Sequence, residues 1–201
     1  MVATIAAAVE GLTDEAVARK LIAHVGANVG QIYGGKGKSH LRKRISGYSN
    51  AARYTPWLVL VDLDHDADCT PPFVADWLQN PPKLLCFRVA VRAVEAWLLA
   101  DVEMISAFLR VARARIPHDP QSLDDPKAAL VELARASRRA EIRQDMVPRD
   151  GSGRKVGPAY TSRLIEYVNE KWRPAEAARR VESLQRAIRC LRRLTVSFDG
   201  A

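Results

Sequence analysis

The stretch that most constrains this chain is "PWLVLVDLDHDAD", residues 56–68, where the apolar run from Trp57 to Val61 leads straight into aspartates at every second position: Asp62, Asp64, Asp66 and Asp68. Apolar residues at consecutive positions mark a strand whose two faces are both covered by helices in a parallel sheet. Such a strand delivers its last side chains to the carboxyl end of the sheet, where open α/β folds bind their ligands.

The flanking sequence repeats the pattern. "ATIAAAV", residues 3–9, reads as a first buried strand, and "TDEAVARKLIAHVG" as a helix with Thr13 or Asp14 as its N-cap and Gly26 as its stop. A second strand is predicted over 28–33 and a helix from Lys38 to Ala52. "PPFVADWLQN" then supplies a short helix, "KLLCFRVAV" a fourth strand, and "RAVEAWLLADVEMISAFL" one long helix over 92–109. Strands and helices alternating at this pitch imply a Rossmann-like α/β unit over residues 1–110, a parallel four-stranded sheet flanked by helices. Residues 111–201 carry three helical patterns without a strand and read as a helical extension packed on that unit. The segment "IRQDMVPRDGSGRKVGP", residues 142–158, is expected to be a long exposed loop.

Alternation along the third strand sends Asp62 and Asp64 to one face, while Asp66 and Asp68 read as turn residues. Glu10 closes the first strand in the same way, and Glu95 falls in the first turn of the helix after the fourth. Carboxylates gathered on one rim repel one another unless a cation lies between them, and oxygen ligands suit Mg²⁺ or Mn²⁺. An EF-hand is excluded, because its sixth and twelfth loop positions hold Ala67 and Phe73 where Gly and Glu are required. "YGGKGKSHL" imitates a phosphate-binding P-loop, but Ile32 stands where that motif needs its first Gly. His65 with Cys69 offers only two zinc ligands, Cys86 reads as core, and no nucleophile motif is present.

Composition narrows the partners. A net charge of +8 favours polyanions. Lys36, Lys38, Arg42, Lys43 and Arg44 crowd one loop and helix start, where side chains and helix-end amides suit phosphate, although a solvated basic face fits them equally. Arg88, Arg92, Arg154 and Lys155 are further phosphate candidates, with Arg92 placed to pair with Glu95 three residues on. Three widely spaced cysteines without a CxxC pair argue against a disulfide framework. No apolar run approaches the roughly 18 residues of a membrane span, and the first residues lack a basic leader, so a cytoplasmic protein is expected.

Glu10 ending the first strand and Asp62-x-Asp64 ending the third resemble the TOPRIM domain of topoisomerases, primases and overcoming-lysogenization-defect nucleases. More narrowly, "VEGLTDEAVARKLI", "LVLVDLDHDADC" and "VAVRAVEAWLLAD" resemble a bacterial TOPRIM-like family, domain of unknown function 4276. The resemblance covers residues 1–110 best. It implies that Glu10 serves as general acid or base and as a metal ligand, that Asp62 and Asp64 hold Mg²⁺, and that Glu95 is the further acidic position of the nuclease branch, completing the metal site. Phosphodiester cleavage in DNA or RNA is the activity it implies, and an ABC- or AAA-type ATPase, in an anti-phage or toxin system, the partner. No strand-passage tyrosine or primase zinc module is evident. The competing expectation is a non-catalytic module that binds nucleic acid or an ATPase; a phosphotransferase built on D-x-D ranks last, since Asp66 stands where Thr or Val is usual.

Overall fold

The computed structural model describes residues 2–196; residues 197–201 of the expected extension lie outside them. Strand β1 (Thr4–Val9), helix α1 (Leu12–His24), β2 (Asn28–Gly34), α2 (Lys38–Ala51), β3 (Trp57–Asp62), α3 (Thr70–Trp77) and β4 (Leu85–Ala90) follow one another in the expected alternation. The four strands are all parallel, in the order β2-β1-β3-β4, so the two acid-terminated strands β1 and β3 are the inner ones. They lie in register, Ala7 opposite Leu58 and Val9 opposite Leu60.

Strand alternation divides the core into two layers. Ile5, Ala7, Val9, Leu58, Leu60 and Cys86 belong to the layer shared with α1, whereas Ala8, Val59, Val61, Phe87 and Val89 pack with Leu41 and Tyr48 of α2 and Phe73 and Trp77 of α3. Both faces of β3 are thereby covered, which is why its apolar residues are consecutive.

The helix expected over 92–109 is two: α4 (Val94–Leu99) and α5 (Val102–Leu109). Asp101 interrupts them. It caps α5 by accepting from the Met104 N–H at 3.3 Å, and it also accepts from the backbone N–H, Nε and Nη2 of Arg173 at 3.0, 3.0 and 2.7 Å. A buried acid so thoroughly bonded outweighs the propensity of the surrounding Leu and Ala to continue the helix. Arg92 does not join α4 either, because its φ of 62° is left-handed.

Among the described residues, five α-helices follow where sequence periodicity shows three: α6 (Pro126–Arg135), α7 (Ala140–Met146), α8 (Tyr160–Glu170), α9 (Pro174–Ala178) and α10 (Glu182–Val196). Helix α7 takes the first part of the expected loop. Its buried stripe is only Ile142 and Met146, too short for a helical period to show in sequence. Leu130, Leu164, Tyr167, Leu184 and Leu191 from these helices, with Trp172 between α8 and α9, share one buried cluster with Ile5, Leu58 and Trp97 of the α/β unit. Among the described residues, no helix is long and apolar enough to cross a membrane.

Candidate active site

The carboxyl ends of β1 and β3 carry Glu10 and Asp62 side by side. The Asp62 N–H donates to Glu10 Oε1 at 2.8 Å, and the N–H of Val94, first residue of α4, donates to Asp62 Oδ1 at 3.0 Å. One oxygen of each carboxylate is thus held by backbone, which fixes its orientation. Close packing behind Glu10 requires a glycine: at Gly34, with φ of 132°, a Cβ would stand 1.9 Å from the Val9 carbonyl oxygen. The turn that follows returns the Gly37 N–H to the Glu10 carbonyl at 3.0 Å.

Two more acids complete the inner cluster. Asp14, in the first turn of α1, is only 7% exposed, and its Oδ1 is buried without a hydrogen-bond partner. Glu95, in the first turn of α4, is 3% exposed. Its Oε1 accepts from the Tyr160 hydroxyl at 3.3 Å and lies 3.8 Å from Lys127 Nζ. Four carboxylates from the ends of β1 and β3 and the first turns of α1 and α4 therefore converge, and Lys127 pairs with Glu95 among them.

Burial and crowding act together on these acids. Burial raises Glu10 above its usual range, although the Asp62 N–H and the charge of Lys38 pull it down. Asp62 is raised well above its ordinary value by burial and then by Asp14, Glu95, Glu10 and Asp64. Asp14 is pushed up to about 7 by burial, then by Glu95 and Glu10. On the other side, the Lys127 ammonium is favoured mainly by Glu95, with burial opposing and Asp62 and Asp14 adding. Tyr160 is held protonated by burial and by Glu95, and so remains a donor.

Asp64 and Asp66 form an outer group. Lys38 Nζ bridges them, at 2.5 Å from Asp64 Oδ2 and 2.7 Å from Asp66 Oδ2, and sits 5.9 Å above the Phe73 ring. Burial works against its charge, but these two hydrogen bonds prevail and its pKa is raised. Asp64 has a left-handed φ of 49° and locks against Arg92: its N–H donates to the Arg92 carbonyl at 2.8 Å, and Arg92 Nη1 donates to the Asp64 carbonyl at 2.9 Å. The expected Arg92–Glu95 pair is therefore replaced, because the left-handed turn points Arg92 towards Asp64, His65 and Asp124. Asp68 is exposed in the turn, as expected.

The other predicted phosphate contacts are dispersed. Arg42 pairs with Asp76 at 2.6 Å and lies over Trp77, beside the rim, and Lys36 is exposed on the turn before α2. Arg154 and Lys155 are exposed in the 147–159 loop, whose ends are tied by Gly157 N–H to Met146 and Ala159 N–H to Asp145, immediately before the Tyr160 that touches Glu95. Arg88 is not at the rim; it lies in mid-β4 against α10, donating to Cys190 Sγ at 3.2 Å. Sequence reasoning missed Asp14, Lys127 and Tyr160 as members of the site. The position of Asp14 in the first turn of the helix that follows Glu10 was the available signal for the first. Lys127 and Tyr160 lie far along the chain and had none.

Among the described residues, no group of three or more His, Cys, Asp or Glu side chains stands in a geometry ready to hold a metal ion. The donor chemistry nevertheless fits a hard divalent cation: all the inner donors are carboxylate oxygens, and Asp14 Oδ1 is an orphaned buried acceptor. Comparison with known proteins returns no matching family model, curated protein or solved structure.

Proposed function

We propose that this chain is a TOPRIM-type, divalent-metal-dependent phosphodiesterase acting on DNA or RNA at the rim formed by Glu10, Asp14, Asp62 and Glu95, with Asp64 at its mouth. The observation that carries the reading is the convergence of four inner carboxylates from four separate elements, with Lys127 paired to Glu95. So much buried like charge is costly, and a Mg²⁺ or Mn²⁺ ion among those oxygens would relieve it. Glu10, Asp14, Asp62 and Asp64 would hold the ion, with Glu95 behind them. When bound, such an ion supplies Lewis-acid neutralisation of phosphate oxygens and a nucleophile at neutral pH.

The chain's own groups divide the remaining work. Glu10, which burial raises above its ordinary range, is suited to take or return a proton. Lys127 offers positive charge where negative charge develops on the phosphate, and Tyr160 keeps Glu95 turned inward. Lys36, Arg42 and neighbouring basic residues of α2 edge the rim and suit a nucleic-acid backbone, as do Arg154 and Lys155 beyond Tyr160. Lys38 must exchange one of its aspartates for any phosphate it meets. The ATPase partner and the anti-phage or toxin setting rest on the family resemblance alone.

The test is calorimetric titration of Mg²⁺ and Mn²⁺ into the wild type and the Asp62→Ala/Asp64→Ala double variant, with nucleic-acid cleavage measured on the same samples. Binding and cleavage lost together in the variant support the reading. Tight polyanion binding that ignores both metal and the substitutions favours the second reading, a non-catalytic module that binds nucleic acid or an ATPase.

A further inference from the structure

Away from the rim, α10 and β4 enclose a second chemical group. Cys190 of α10 is 4% exposed, yet its sulfur receives Arg88 Nη2 at 3.2 Å and Arg193 Nη2 at 3.4 Å. Cys86, on the facing strand two residues before Arg88, is fully buried in the same cluster as Cys190. Cys190 also lines a cavity of about 300 Å³ whose other walls are Arg88, Arg186, Arg189 and Arg193. Two guanidinium donors on one sulfur favour a thiolate over a thiol. Consistent with this, Cys190 is drawn down to about 5, first by the Cys86 thiol and then, against burial, by Arg88 and Arg193, while burial chiefly pushes Cys86 up.

We propose that Cys190 is a peroxide-reactive thiolate with Cys86 as its resolving cysteine, the two forming a disulfide that ties α10 to β4. In the first step the Cys190 thiolate attacks one oxygen of hydrogen peroxide, the O–O bond breaks, and hydroxide leaves to become water with the proton that Cys190 has shed. Cys190 is then a sulfenic acid. In the second step the Cys86 sulfur displaces that hydroxyl, an S–S bond forms, and the Cys86 proton leaves with the hydroxyl as a second water. Two thiols lose two electrons and one peroxide gains them. The arginine-walled cavity gives a small oxidant its route to the sulfur.

Cys69 serves as the internal control, because it is the exposed cysteine of the three. Exposure alone ranks Cys69 as the most reactive thiol, and the contacts on Cys190 rank Cys190 first. The experiment treats the wild type with one equivalent of hydrogen peroxide, caps the remaining thiols after unfolding, and maps peptides by mass spectrometry. The expected product is a Cys86–Cys190 linked peptide with Cys69 recovered unoxidised. In Cys86→Ser the reaction stops at a Cys190 sulfenic acid captured by dimedone, and Arg88→Met slows Cys190 oxidation about tenfold or more, as the sulfur loses a cation. Should Cys86→Ser fail to fold, the linked peptide in the Cys69→Ser background decides alone. Oxidation of Cys69 with Cys86 and Cys190 recovered as thiols overturns the proposal. So does a dimedone adduct on Cys190 that persists while Cys86 is present.

Discussion

Replacing Asp14 by Asn removes one charge from the inner cluster with almost no change of shape. The folded protein holds the Asp14 carboxyl up at about 7, whereas an exposed aspartate has 3.8. The folded state therefore keeps a proton that the unfolded chain releases above about pH 4, so stability is greatest at low pH and falls as pH rises from about 4 to about 7. At about 1.4 kcal/mol per pH unit, that gap corresponds to about 4 kcal/mol, an upper bound because local relaxation and water entry reduce it. Asp14→Asn should accordingly be more stable than the wild type at about pH 8 and little different near pH 4.5. With a urea dependence of about 2 kcal/mol per molar, the full effect moves the midpoint by about 2 M. Tryptophan fluorescence of the four Trp residues follows the transition, with EDTA present. Saturating Mg²⁺ should recover part of the same energy in the wild type, about 2.7 kcal/mol at a hundred times its Kd, and less in the variant. An Asp14→Asn midpoint equal to or below that of the wild type at the higher pH would refute the claim that this carboxylate is held under strain.

Gly34→Ala should cost about 3 kcal/mol or more, read from the same urea transition, because the new methyl meets the Val9 carbonyl and the backbone is one that only glycine adopts easily. Lys127→Met should leave the fold intact by circular dichroism and lower cleavage by about 10- to 100-fold, since it deletes the cation beside Glu95. Asp64→Asn should preserve the left-handed turn, which Asn tolerates, and weaken Mg²⁺ binding in calorimetry. Nucleic-acid affinity should fall linearly on a log–log plot against salt, with a slope of about −0.9 per duplex phosphate contacted, and removing Arg154 or Lys155 should reduce that slope by about one if each touches a phosphate.

Much of the α/β unit was legible because its signals are local. The consecutive apolar residues of β3 announce a strand covered on both faces, and acids closing β1 and β3 fall on the same rim once the strands are parallel. The neighbouring placement of Glu10 and Asp62, and Glu95 in the first turn of its helix, could be reached this way. Arg92 and Asp101 could not. The left-handed turn at Arg92 depends on its exchange of hydrogen bonds with Asp64, and the break at Asp101 depends on Arg173, which lies far along the chain.

The sequence by itself determined the alternation of strands and helices, the acidic rim and the basic balance of this protein, because periodicity, strand alternation and charge are properties of neighbouring residues. Only the tertiary structure decided that Asp14 lies inside the site with one carboxylate oxygen unpartnered, Gly11 and not Asp14 being the N-cap of α1, and that Lys127 and Tyr160 reach Glu95. It also decided that Lys38 is held by two aspartates and that Cys86 and Cys190 share one buried cluster where α10 packs on β4. Each of these facts is a contact between segments far apart in the chain, created when one buried core closes over both.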